Sequence, residues 1–287
     1  MGMLLSYGTW GIPMVPIDTA IEHCARLGYD AMSITIKPGW TTDVATLDAA
    51  ERGRIRALMD RHGIALAGIS GQTSLLEDDP DTLARNLDLC HQFVDATAEF
   101  QRPGEQLALA MSAGGKPGEW DAKRTLAVER FAELARHAEQ RGVVVMAEPN
   151  VGSALLTPEQ ALWLLEQVNS PGLAIDLDIS HFNAQAMDPV AVIEQLAPHA
   201  RHVEVKDERG LAPNHEFLIP GEGPCDYVTI LKTLDRVGYD HYVEVEISFM
   251  VQRRPNYDPL AAAEQSYRVL ARAFEEAGIE RRPPSTA

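Results

Sequence analysis

Short apolar stretches alternate with helix-length amphipathic ones along almost the whole of this chain, and that rhythm leaves few folds open. The short stretches are LLSYGTW from residue 4, YDAMSITI from 29, IALAGISG from 64, LALAMSAGG from 107, and four more starting near 143, 173, 202 and 242. Between them run segments such as IDTAIEHCARLG, VATLDAAERGRIRALMDRHG and PDTLARNLDLCHQFVDATAEF, whose apolar residues recur at helical spacing. Thr157-Pro158 offers an N-cap and a first-turn proline, while Gly28, Gly63, Gly142, Gly238 and Gly278 stand where helices should stop. Strands joined by helices and not by tight hairpins are parallel neighbours. Eight such units predict an α/β protein of the (β/α)8 barrel class. With 287 residues there is room for one barrel and no second full domain. The expected partition is a barrel over 1–278 and a C-terminal tail over 279–287, where ERRPPSTA has no apolar pattern.

The last four strand-like stretches each carry an acid at or near their C-terminal end. These are Glu148 in VVVMAEPN, Asp178 in LAIDLDISH, Glu204 in HVEVKDE and Glu246 in YVEVEIS. Alternation puts Val203 and Val205 on one face and His202, Glu204 and Lys206 on the other; Val243 and Val245 likewise oppose Tyr242, Glu244 and Glu246. Half-exposed antiparallel strands would alternate too, but the helices between these strands argue against hairpins. In a (β/α)8 barrel the C-terminal strand ends converge on the active site. Carboxylates gathered within about 4–6 Å of one another disfavour ionisation unless a cation compensates, so the pattern predicts a divalent metal.

Several motifs, taken in order, resemble one known family. They are GYDAMS after the first helix, HAEQRGVVVMAEPN, LTPEQALWLLEQVNSPGLAIDLDISH, RHVEVKDERG, IPGEGPCDYVTILKTLDRVGYD and VEVEIS. Together they resemble the xylose isomerase-like barrels, which include sugar-phosphate isomerases and epimerases, tagatose-type 3-epimerases and family 2 apurinic endonucleases. The resemblance implies metal ligands at Glu148, Asp178 and Glu246. It also implies that Glu148 and Glu246 are the catalytic pair, exchanging a proton next to a carbonyl through an enediolate.

On strand seven the family's motif is H-x-K-D, and here Glu204 stands in the place of its histidine. Three readings compete: Glu204 is a fourth carboxylate ligand, His202 reaches in from the same face, or the site is degraded. Alternation and the reach of a glutamate favour Glu204. An all-oxygen set suits Mn2+ or Mg2+, with Co2+ and Zn2+ as lesser candidates. His181, Lys206, His215, Trp10 and Asn150 are the candidate substrate-binding residues, with structural roles as capping group, counter-ion or loop packing as their alternatives. Strand two lacks the glutamate many family members carry, having Ala31-Met32-Ser33 instead.

The favoured function is a sugar isomerase or epimerase. Its alternatives are a lyase or dehydratase on an oxidised sugar, an apurinic endonuclease, and a non-catalytic sugar-binding barrel. A formal charge of −17 argues against nucleic acid, leaving a small sugar as the expected partner and self-association as an open expectation. No apolar run is long enough to span a membrane, and Cys24, Cys90 and Cys225 form no CxxC, so a cytoplasmic location is expected.

Overall fold

The computed structural model describes residues 2–282. The apolar stretches form the strands Leu4–Gly8, Ala31–Thr35, Ala65–Ser70, Ala108–Ser112, Val144–Glu148, Leu173–Asp178, Ala200–Val205 and Tyr242–Val245. They close into a parallel barrel in which each strand lies beside its neighbours in sequence and the eighth pairs with the first. Helices Ile17–Leu27, Ala49–Arg61, Pro80–Phe100, Trp120–Arg141, Pro158–Val168, Pro189–Leu196, Tyr227–Arg236 and Pro259–Ala277 surround it.

Capping explains where these helices start. Asp48, Asp79, Thr157, Asp188, Asp226 and Asp258 each accept a hydrogen bond from a backbone N–H of the first turn. For this reason the second helix begins at Ala49 and not at 44, as its sequence pattern suggests: Asp48 takes the Glu51 N–H at 2.8 Å.

Three small elements decorate the C-terminal side: helices Ile179–Asn183 and Phe249–Gln252, and an antiparallel hairpin pairing Asp207–Arg209 with Glu216–Leu218. At the other end, Arg282 N donates to Met3 O at 3.0 Å and Arg281 Nη1 to Gly28 O at 2.9 Å. The start of the expected tail therefore lies against the barrel floor, and 283–287 lie outside the described residues.

Two faces of each strand have different fates. Outward residues such as Leu5, Met32, Leu109, Val145, Leu177, Val203 and Val243 are buried with the inner faces of the helices in one large core. Inside the barrel the apolar filling is slight, a small cluster of Ala110, Val144, Met146 and Ala174 from strands four to six. The interior near strands one, two, six, seven and eight holds Ser6, Ser33, Asp176, His202, Glu204 and Glu244, all buried. Polar groups at that depth need partners, and the partners they find define the site. Among the described residues no helix is long and apolar enough to cross a membrane.

Candidate active site

Glu148 is the last residue of strand five and Asp178 the last of strand six, while Glu246 follows strand eight and extends its ladder with an N–H to Val205 O at 3.3 Å. Asp178 also caps the short helix after it, accepting Ser180 N at 2.9 Å and Ser180 Oγ at 2.5 Å on Oδ1. That one turn carries His181 back over the strand ends. Its Nε2 lies 3.2 Å from Glu148 Oε1 and 3.4 Å from Asp178 Oδ2. Glu148, Asp178, His181 and Glu246 thus each offer a donor atom within 4.8 Å of the others. Lys206 rises from the end of strand seven, fully buried, and its ammonium contacts both Asp178 Oδ2 and Glu246 Oε2.

A second group lies among the inward residues of strands six to eight. Glu204 sits in register with Asp178 on one side and Glu244 on the other. His202, Glu204 and Glu244 again bring donor atoms within 4.8 Å of one another. Glu244 is pinned by serine hydroxyls, with Ser6 Oγ donating to Oε2 at 2.6 Å and Ser33 Oγ to Oε1 at 2.5 Å. Glu204, expected from its strand position among the ligands of the outer group, belongs by distance to this inner one, and His181 completes the outer four.

Burial and mutual repulsion divide the acids. Burial pushes the Asp178 carboxyl up, but the Lys206 ammonium and the His181 ring outweigh it and bring it down to about 2. Glu246 is raised, by burial and by the Asp178 and Glu148 carboxylates, against the pull of Lys206. Glu204 goes well above the carboxylate range through burial and the neighbouring acids Asp176 and Glu246, and Asp176 does so chiefly through burial. Glu244 is held low despite burial by His202 and the serine bonds, and His202 is correspondingly raised.

A cavity of about 270 Å³ opens above these groups, lined by Glu148, Glu246, Glu204, Glu244 and His181 and walled by Trp10, Asn150 and Phe249. Trp10 stacks on Trp40 with centroids 5.0 Å apart, and the Lys37 ammonium stands 4.9 Å from the Trp10 ring and 5.3 Å from that of Trp40. His215 is outside the cavity lining; its ring packs on Phe217 at 4.7 Å, and Phe217 in turn packs on His181 at 4.9 Å. Sequence reasoning missed Phe217, Gln72 and the row Ser33, Ser70 and Ser112, which line or brace the site. Two of the serines had a signal: Ser70 and Ser112 are the last residues of their strands, where side chains face the cavity.

The chain is 28% identical over 238 residues to a ketose 3-epimerase of Arthrobacter globiformis, covering 80% of this chain and 77% of that protein. It is 26% identical to a fructoselysine 3-epimerase of Shigella flexneri, covering 86% and 91%. A shorter match, 26% identical over 57% of this chain and 59% of the other, is to an inosose dehydratase of Yersinia enterocolitica. Among solved structures, a xylose isomerase-like TIM barrel protein from Mycobacterium smegmatis in complex with magnesium superposes with a TM-score of 0.70 at 18% identity, covering 96% and 97%. A family model described as xylose isomerase-like TIM barrel matches residues 21–273, nearly the whole barrel, and this chain belongs to that family.

Proposed function

We propose that the chain is a divalent-metal-dependent sugar isomerase or epimerase that moves a proton at a carbon next to a carbonyl. The observation that carries this reading is the placement of Glu148 and Glu246 in one cavity with two strands between them, so that they approach a bound sugar from different sides. Glu246, whose carboxylate contacts the Lys206 ammonium, is assigned as the acid of the pair. Glu148, with the His181 ring 3.2 Å away, is assigned as the partner base. Trp10 and Phe249 offer apolar walls for a sugar face, and Asn150 and Gln72 offer amides for its hydroxyls.

The donor set fits a divalent cation: three carboxylates and an imidazole within 4.8 Å, with the Lys206 ammonium already standing as a positive charge against two of them. Glu148, Asp178, His181 and Glu246 would hold the ion, and the oxygen-rich set suits Mn2+ or Mg2+. Such an ion polarises the substrate carbonyl and stabilises negative charge on its oxygen. Likeness to ketose and fructoselysine 3-epimerases supports a ketose-like substrate.

Incubation with ketoses, aldoses and 3-oxo-glycosides in D2O, followed by NMR, tests the reaction. Deuterium retained at the carbon beside the carbonyl marks isomerisation or epimerisation; release of water or an aglycone marks elimination, the chemistry named for the dehydratase relative. Glu148→Gln and Glu246→Gln are each expected to slow exchange by ~10²–10⁴-fold. Exchange that persists undiminished in both variants overturns the assignment.

A further inference from the structure

Beneath the outer donor group, the inner one has features that neither packing nor the proposed reaction uses. His202 is 3% exposed and Asp176 1% exposed, and both keep a side-chain atom, Nε2 and Oδ1, without a hydrogen-bond partner. Buried polar atoms are rarely left so. His202 Nε2 faces Glu244 Oε2 at 3.4 Å, too far for a good hydrogen bond. That separation is the edge of a tetrahedron around an ion with bonds of about 2.1 Å, the length typical of zinc to histidine nitrogen and carboxylate oxygen.

Other features agree. Ser6 and Ser33 bind both oxygens of Glu244, which fixes the carboxylate's direction and keeps it ionised, as outer partners do for metal ligands. Gly8 makes room for it: a Cβ there would lie 2.6 Å from Glu244 Oε1. Asp176, in register with His202, adds a further buried carboxyl from strand six. Glu204 and Glu244 also line the cavity, which gives an ion a way in.

We propose that His202, Glu204 and Glu244, with Asp176 alongside, form a second divalent-cation site inside the barrel, of the mixed nitrogen and oxygen type that suits Zn2+. The glutamate at 204, where the motif resemblance implies a histidine, then has a reason to be there: it supplies a ligand to the inner group. This site is independent of whether the outer group holds an ion.

Zn2+ itself is the probe. Protein stripped with a chelator is dialysed against excess Zn2+, bound metal is counted per chain, and crystals of the same protein are measured for zinc anomalous scattering. Two ions per chain are expected, with one anomalous peak among Glu148, Asp178, His181 and Glu246 and another among His202, Glu204 and Glu244. Glu244→Gln, which keeps the side chain's size, is expected to remove the inner peak and weaken that binding step at least ~10-fold while leaving the outer ion. A single peak at the outer group, or an inner peak undisturbed by Glu244→Gln, overturns the inference and leaves the proposed function standing. An inner peak with none outside supports the inference and leaves the outer group to Mn2+ or Mg2+; absence of an inner peak overturns the inference. The wild-type scattering needs no variant, so a misfolded mutant cannot hide the answer.

Discussion

Lys206 has 1% of its surface exposed, and burial alone would push its ammonium towards the neutral form. Asp178, Glu246 and Glu204 reverse that and hold it charged. Removing one member of a buried ion pair usually costs about 3–5 kcal/mol, because the remaining charges lose their counter-ion. Lys206→Met should therefore destabilise the metal-free protein by roughly that amount in urea unfolding, and added Mn2+ should restore much of the loss by replacing the missing charge. Gly8 makes a complementary point. With Glu244 held by two serines, a methyl group at position 8 cannot simply push it aside. Gly8→Ala should cost about 1–3 kcal/mol in thermal or denaturant unfolding. Inward alternation on strand seven made Lys206 and Glu204 legible from the sequence as interior residues. What each would touch was not legible, because contact depends on the register between strands far apart in the chain.

Among the elements, those long enough to show a period were readable and the short ones were not. The eight strands and eight helices follow apolar spacing and caps, whereas the hairpin strands span three residues each, too few for alternation to register. That hairpin braces the site. Asp207 at its start accepts Gly221 N at 2.6 Å and Cys225 N at 2.9 Å, which explains the Pro-Gly-Glu-Gly-Pro stretch as a loop wound around a buried carboxylate. Its neighbour Glu208 is pushed up to about 7, mainly by burial. An acid raised on folding is ionised first in the unfolded chain, so as pH climbs from about 4.5 to about 7 stability falls, and above 7 the loss is complete. Glu208→Gln should remove this slope: its stability relative to wild type should grow across that window and level off beyond it, as read by denaturant unfolding at a series of pH values.

At the scale of the molecule, the closed barrel and one large core follow from composition and rhythm, while the site is assembled from residues up to almost 240 positions apart. The three acids Glu148, Asp178 and Glu246 could be found because the fold sends strand ends to one place. His181 as a member of the donor group could not, since it depends on the single helical turn that Asp178 caps. The expected tail proved harder still: Arg281 ties it to the floor, bonding Gly28 O and lying 3.3 Å from Asp30 Oδ2, and no periodicity announces such a strap.

The tryptophans offer a last consequence. Of the four in the chain, Trp120 and Trp163 meet edge to face at 5.7 Å among the outer helices, while Trp10 and Trp40 pack at a tilt by the cavity mouth beneath the Lys37 ammonium. Half of the molecule's indoles thus stand beside the opening, next to a charge that an incoming ligand would displace or cover. A sugar that enters should change fluorescence intensity and wavelength in a saturable way, and Trp10→Phe should abolish most of the response. The barrel carries its own optical reporter, with which a substrate can be screened for before any turnover is measured.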